Sequence, residues 1–382
     1  MKAGRARFAL FVLLAAALWL PNMHHLHTMD APSRARLATS LAERQIATPK
    51  DDVERMRATN PEWDFMRRTF TVLSLANLAE EKTGRERARL LGAIDAIVDA
   101  TLRDDERLGA EHFLLAYARR GPFLDRETRS VFIDGEIVMM LEARELVEPR
   151  PELRPVARMR AERIERTMRR SPSLSAESYP DECWTFCNTT ALAALAMLDR
   201  VDDSDHGDLS RTWVAHAKAH LVDPATGLLV SSFTYDGRVL DGPEGSSIWM
   251  SAHNLLFVDE AFARDQYARA RRELRGSALG YAWAREWPAS VPGDAKRPDV
   301  DSGPIVPIVD ASAGSSGLAL LGASAFDDEE YLGGLLASLE LAAFRDGDRY
   351  LASNAVGDAV LLYALTGGPR RRLPLHPLRV PA

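Results

Sequence analysis

The sequence predicts an all-α protein: one (α/α)6 barrel, a toroid of six helical hairpins. Three observations predict it. From about Asp64 onward, apolar residues recur at i, i+3, i+4 and i+7 in one segment after another, separated by short polar, Gly or Pro breaks. Strand-like alternation is nearly absent. About twelve segments of similar length are joined alternately by short turns and longer loops, which is the number that six hairpins need if each buries its inner face on its neighbours. An α-solenoid is the alternative, but no repeat of fixed length is present.

The elements follow in chain order. "MKAGRARFALFVLLAAALWLPNMHHLH" sets Lys2, Arg5 and Arg7 before an apolar run from Phe8 to Leu20 that Pro21 ends. That is the pattern of an export signal, so the body of the chain is expected outside the cytoplasm, either periplasmic or held at the membrane by residues 1–28. The run reaches roughly 20 Å against a hydrocarbon core of about 30 Å, and a small-residue cleavage site after it is poor, so a cleaved signal and a short anchor both stand. His24, His25 and His27 read as a solvated juxtamembrane segment rather than a metal site. Residues 29–62 are expected as a linker or first segment, 63–367 as the barrel, and 368–382 as a loose basic, Pro-rich tail. Within the barrel the periodicity predicts helices at 64–80, 86–103, 109–118, 127–147, 151–170, 188–200, 208–222, 245–258, 263–286, 312–325, 328–342 and 352–366. The loops 171–187, 223–244 and 287–311 are long, and long ordered loops in compact domains tend to carry function. In "LLVSSFTYDGRVL" the Asp-Gly pair predicts a small hairpin.

Bulk composition narrows the function. A net charge of −7 leaves no basic field for a phosphate backbone, and the many arginines are interleaved with Asp and Glu on helix faces, so nucleic acid is not an expected partner. No glycine-rich segment has the spacing and the preceding strand of a nucleotide site, and no nucleophile elbow joins a strand to a helix. A small-molecule substrate handled without a cofactor is therefore expected, with homo-oligomerisation left open.

The chemistry-bearing residues gather in "SYPDECWTFCNTTALAALAML", which holds both cysteines, Cys183 and Cys187. In a helix, i and i+4 share a face, so both thiols are expected toward one cavity. Two cysteines alone do not complete a structural zinc set, and no metal is expected. A disulfide is allowed in an oxidising compartment but strained across so short a helical loop, and two small buried side chains are the plain alternative. Cys187 stands where a helix begins, with Asn188 or Thr189 as caps, and a helix N-terminus lowers a thiol pKa, so Cys187 is the candidate reactive group. Asp181 and Glu182 add carboxylates, while Trp184 and Phe186 add apolar walls. Glu136, in the apolar "FIDGEIVMML", is a costly charge unless it faces a polar cavity. Asp241 and Glu244 precede a Gly- and Ser-rich helix start able to hold an anion or simply to cap. His253 is either an acid–base group or a core histidine, and Asp299 and Asp301 are either a functional acid pair or a buried turn.

The stretch "YPDECWTFCNTTALAALAMLDRVDDSDHGDLSRTWVAHAKAHLVDPATGLLVSSF", followed by "FVDEAFARDQY", resembles the linalool dehydratase/isomerase family. The resemblance rests on Pro180 and Asp181 before Cys187 and Asn188, then Asp223, Pro224 and Gly227, then Asp259, Phe262 and Tyr267; it covers about a hundred residues. It implies an (α/α)6 barrel without a cofactor that dehydrates or isomerises a small terpene alcohol in an apolar cavity by acid–base work involving cysteines. It also suits an exported location. Cys187 matches one active-site cysteine of the family; the other falls on Ser178, Cys183 takes the place of an aromatic residue, and Glu136 takes the place of an active-site histidine. The site therefore becomes more acidic than the family's.

Two chemistries and one non-catalytic reading follow. In the first, Cys187, Asp181, Glu136 and Cys183 share acid–base work on an alcohol, and Trp184, Phe186, Phe233, Tyr235, Trp249, His253 and Asp301 contact the substrate, aromatic faces shielding a cation. In the second, Glu136 with Asp181 or Asp301 forms the carboxylate pair of a glycoside hydrolase. In the third, a membrane-anchored barrel binds without turnover.

Overall fold

The computed structural model describes residues 2–202, 204–292 and 302–368. Its helices are α1 (Lys2–Trp19), α2 (Ala31–Ile46), α3 (Lys50–Thr59), α4 (Pro61–Glu80), α5 (Gly84–Leu108), α6 (Val131–Val147), α7 (Arg154–Arg170), α8 (Thr185–Val201), α9 (Gly207–His220), α10 (Gly245–Leu255), α11 (Glu260–Glu273), α12 (Ala313–Ala325), α13 (Glu329–Ala342) and α14 (Ala355–Leu365). The even-numbered helices from α4 to α14 form a closed ring: each packs on the next, and α14 returns to pack on α4. Outside the ring, α5 lies on α4 and α6, α7 on α6 and α8, α11 on α10, α13 on α12, and α2 on α14 and α4. In chain order α9 supplies the remaining outer helix, burying Leu209, Trp213 and Ala217. This is an (α/α)6 barrel.

Composition sorts the layers. The ring helix α14, "AVGDAVLLYAL", is apolar nearly all round, as a helix covered on every side must be. By contrast α7, "RPVARMRAERIERTMRR", buries a stripe of Ala157, Arg160, Ala161, Ile164 and Met168 and turns Arg158, Arg166, Arg169 and Arg170 outward. Ring helices α6 and α8 approach closely: a Cβ on Gly135 would stand 3.1 Å from the Ala191 Cα.

The structure fills in the sequence reading at 29–62 and corrects it at 263–286 and 109–118. Residues 29–62, expected as a linker or first segment, form α2 and α3; Asp30 caps α2 by accepting the Ser33 N–H at 2.8 Å, and Leu37 and Leu41 sit in the core. The outer layer is closed by this segment. The helix expected over 263–286 stops at Glu273, and 275–284 form an antiparallel hairpin of strands β4 (Arg275–Ala278) and β5 (Tyr281–Ala284). Its turn residues Leu279 and Gly280 have φ of 53° and 84°, and a Cβ on Gly276 would strike the Trp283 indole. Likewise 109–118 holds two short 3-10 turns rather than a helix. Short strands also form β1 (Cys183–Trp184), β2 (Ser232–Phe233) and β3 (Val239–Asp241), a three-stranded sheet in that order that includes the expected Asp-Gly hairpin. The turn between β2 and β3 holds Gly237 at φ 93°.

The N-terminal helix α1 stands clear of the barrel, with Phe8, Phe11 and Leu13 exposed. Gly4–His27 is the one helical stretch among the described residues long and apolar enough to cross a membrane, and none of it is buried. Helical structure continues past Pro21, so the apolar segment is longer than the run to Leu20 suggested.

Candidate functional site

The ring helices all begin at one end of the barrel, and the loops leading into them build the mouth. Side-chain caps close the starts of α4, α12 and α14 through Asn60, Ser312 and Asn354. The starts of α6, α8 and α10 have none, and loop groups from elsewhere satisfy them. The Val131 N–H donates to the Glu177 carbonyl at 2.9 Å, and the Thr185 N–H to the Ser231 carbonyl at 2.9 Å. The Gly245 N–H donates to the Glu286 carbonyl at 2.7 Å, while the Glu286 carboxylate accepts the Ser246 N–H at 3.2 Å. The group that meets this Gly- and Ser-rich turn, read as able to hold an anion or simply to cap, is thus the chain's own Glu286 side chain, which the serines Ser246, Ser302 and Ser312 also contact.

On the α4–α6–α8 side an acid cluster forms. Glu136 is buried on α6 and accepts a hydrogen bond from the Thr69 hydroxyl on α4. Burial, reinforced by the nearby Glu62 carboxylate and only partly offset by Thr69, pushes its carboxyl up to about 8, so it is neutral at pH 7. Cys187 lies in the first turn of α8, buried, with the Ser178 hydroxyl in hydrogen-bonding reach of its thiol. Burial raises the thiol well above its ordinary value, and the charges of Glu62, Glu136 and Glu182 add to the shift. This reverses the expectation of a thiolate at a helix N-terminus: desolvation outweighs the helix dipole. Both cysteines are free thiols.

Three polar groups at this site, Glu62, Tyr117 and Tyr179, were not singled out by the sequence reading. The Tyr179 hydroxyl donates to Glu62 and accepts the Leu115 N–H at 3.0 Å, and its ring stacks on Tyr117 at 4.2 Å between centroids. Tyr117 and Trp184 both hydrogen-bond Glu182. Around these polar groups Phe65 packs edge-on to Phe132 at 5.3 Å, and Phe132 meets Phe186 at 6.2 Å. Glu62 is half-buried in the first turn of α4, 117 residues from Tyr179 in the chain, and no local pattern links the two.

The remaining expected residues fall elsewhere. Cys183 is on strand β1, not on a helical face shared with Cys187; its thiol points to the Ser175 carbonyl at 3.7 Å and is pushed up by burial and by Glu177, Asp181 and Glu182. Asp181 is exposed at φ 56° in the tight turn from Tyr179 to Glu182 and accepts the Tyr235 N–H at 3.1 Å, so it ties two rim loops together. Tyr235 is half-buried in that loop, and Phe233 is fully buried opposite Cys183 in the sheet. Trp249 turns away from the ring interior: it donates to the Ser315 hydroxyl at 3.2 Å and packs on Tyr267 and Tyr331 of the outer helices α11 and α13. His253 lies two turns into α10 and meets Tyr363 near the end of α14 at 5.5 Å, toward the opposite end of the barrel; burial lowers its pKa to about 4. Asn188 pins the rim by holding both the N–H and the carbonyl of Ala176. Asp134 faces the outer layer, paired with Arg160 at 2.6 Å and Arg163 at 2.9 Å. Asp299 and Asp301 lie outside the described residues.

His216 and His220 are one turn apart on α9, a spacing that the sequence reading passed over. Among the described residues, no group of three His, Cys, Asp or Glu side chains is placed to hold a metal ion.

No family model and no curated protein matches the chain. Among solved structures, the chain is similar to the unsaturated glucuronyl hydrolase of Bacillus sp. GL1, a protein responsible for the degradation of glycosaminoglycan, at a TM-score of 0.44 and 17% identity over 72% of this chain and 84% of that one.

Proposed function

We propose that the barrel is a cofactor-free hydro-lyase/isomerase for a small apolar alcohol, of the terpenoid kind that the resemblance to the linalool dehydratase/isomerase family implies. The observation that carries this reading is the buried Glu136 carboxyl, its pKa pushed up by burial, beside the Ser178–Cys187 pair and next to a cluster of aromatic rings. A carboxylic acid that keeps its proton at pH 7 can act as a general acid. Glu136 gives its proton to the substrate hydroxyl; the C–O bond breaks with its electron pair and water leaves. Aromatic faces stabilise the allylic cation. The Glu136 carboxylate then removes a proton from the neighbouring carbon, the C–H pair becomes the new double bond, and the acid is restored. With its proton held firmly, Cys187 is assigned to hydrogen-bond the departing oxygen together with Ser178, not to attack as a thiolate.

The test is turnover of a panel of short terpene alcohols by the full chain, read by gas chromatography. An alkene or isomerised alcohol that disappears in Glu136→Gln supports the reading. Absence of product from every alcohol, or a Glu136→Gln variant as active as the parent, refutes it; a chain that instead releases sugar from a glycan panel would transfer Glu136 to the glycoside hydrolase reading.

A further inference from the structure

The chain leaving the apolar helix is clamped to the barrel. The 3-10 segment Leu20–His27 packs on α13. The His24 ring covers Gly280 so closely that a Cβ there would stand 2.2 Å away, and His27 Nδ1 lies 2.9 Å from the Tyr281 hydroxyl. No free linker separates α1 from the domain, so whichever face surrounds the clamp is held wherever α1 is held.

That face is the apolar one. Among the described residues outside the first 27, seven of the twelve exposed large apolar side chains belong to the sector of α13 and its flanking hairpins. Leu279 precedes Gly280 at the tip beneath His24 and is 51% exposed. The hairpin of β6 (Ile305–Val306) and β7 (Ala311–Ser312) packs on β5 and is fastened to it by the Trp283 indole N–H, which donates to the Val309 carbonyl at 2.8 Å. Its turn carries Ile308 at 95% exposure, with Val306 and Val309 also exposed. At the end of α13, Phe344 is 71% exposed, and His27 and Leu26 line a cavity of about 210 Å³ with Glu340 and Arg345 beside it.

We propose that α1 stays in the membrane and that this sector lies on the same bilayer surface, with Leu279, Val306, Ile308, Val309, Leu341 and Phe344 seated at the boundary between headgroups and acyl chains. Apolar side chains next to a membrane helix gain by leaving water for that boundary. With a net charge of −7, the attachment does not depend on anionic lipid. It is also independent of the reaction proposed above.

The experiment uses the full chain in phosphatidylcholine vesicles, with single cysteines introduced by Ile308→Cys, Phe344→Cys and, as a control in the α5 sector, Leu108→Cys. Each carries an environment-sensitive fluorophore; the native thiols are buried. A spin label near the lipid headgroup should quench the probes at 308 and 344 at least about threefold more than the probe at 108, and iodide in the water should quench them less. Equal quenching at all three sites overturns the proposal. So does protection from iodide without quenching from the lipid, which would mean that a second copy of the chain covers the face. Circular dichroism of each labelled chain guards against unfolding, and the three sites are exposed surface positions.

Discussion

The Thr69 hydroxyl on α4 donates a hydrogen bond to the Glu136 carboxyl on α6, bridging two neighbouring ring helices across 67 residues of chain. A donor at that position favours the charged form of the acid and works against the burial that keeps it neutral. Thr69→Val removes the donor and should move the alkaline limb of the pH–activity profile upward, by about one unit or less. A downward movement would mean that Thr69 supports the neutral form.

Stability should fall as pH rises from about 4.5 to about 8. Burial raises both Glu136 and Glu142 from 4.5 to about 8, Glu145 and Asp202 adding to the shift at Glu142. In the unfolded chain these carboxyls ionise from 4.5, whereas the folded chain keeps their protons to about 8. Their contribution is therefore complete below 4.5 and is lost on the way to 8, at up to about 1.4 kcal/mol per pH unit for each group. Comparing denaturant unfolding of the parent and Glu136→Gln across that window isolates one of them: the variant should gain on the parent as pH rises, by roughly 4 kcal/mol at pH 8.

Both thiols should be inert in the native protein. A thiolate is the reacting species, and burial pushes Cys183 and Cys187 up. Labelling by an aromatic disulfide at pH 7.5 should run roughly a hundredfold faster after unfolding than before. Fast labelling of one cysteine in the folded chain would restore the reactive-thiolate reading of Cys187.

Gly135→Ala should destabilise the barrel by about 1–3 kcal/mol, because the added methyl meets the Ala191 backbone of α8 and not a flexible side-chain end. Arg160→Met should cost about 3 kcal/mol, since Arg160 bridges the buried carboxylates of Asp105 and Asp134 at 2.6 Å each. Thermal unfolding measures both. If Arg160→Met were neutral, Arg129 and Arg163 would have to hold those carboxylates unaided.

How much of this was legible depended on whether the information was local. The ring helices were readable because each carries apolar residues at helical spacing between polar, Gly or Pro breaks, and the Asp-Gly hairpin because its turn chemistry lies in two adjacent residues. The sequence also singled out Glu136 for its cost in an apolar helix and paired Ser178 with Cys187 through the family resemblance, and the barrel brings all three into one cluster. What failed was tertiary. Tyr179 and Glu62 meet only when the rim loop folds over the start of α4. Trp249 was expected on the cavity wall, but the pattern of α10 does not distinguish a ring interior from the apolar layer behind it, where Tyr267 and Tyr331 wait. Cys183 was read as helical because Cys187 is, although the chain turns from strand to helix between them. And α2 was passed over because its polar face dominates its composition, even though Leu37 and Leu41 close the outer layer.

The central claim is that Glu136 is a neutral acid at the pH where it would work. Carbon-13 NMR of the full chain labelled at glutamate side-chain carboxyls, with Glu136→Gln identifying the signal by its loss, measures this directly. A signal titrating with a midpoint near 8 is the predicted result. A midpoint near the ordinary 4.5 would leave a carboxylate at pH 7, and the proton donor on which the proposed reaction depends would not exist.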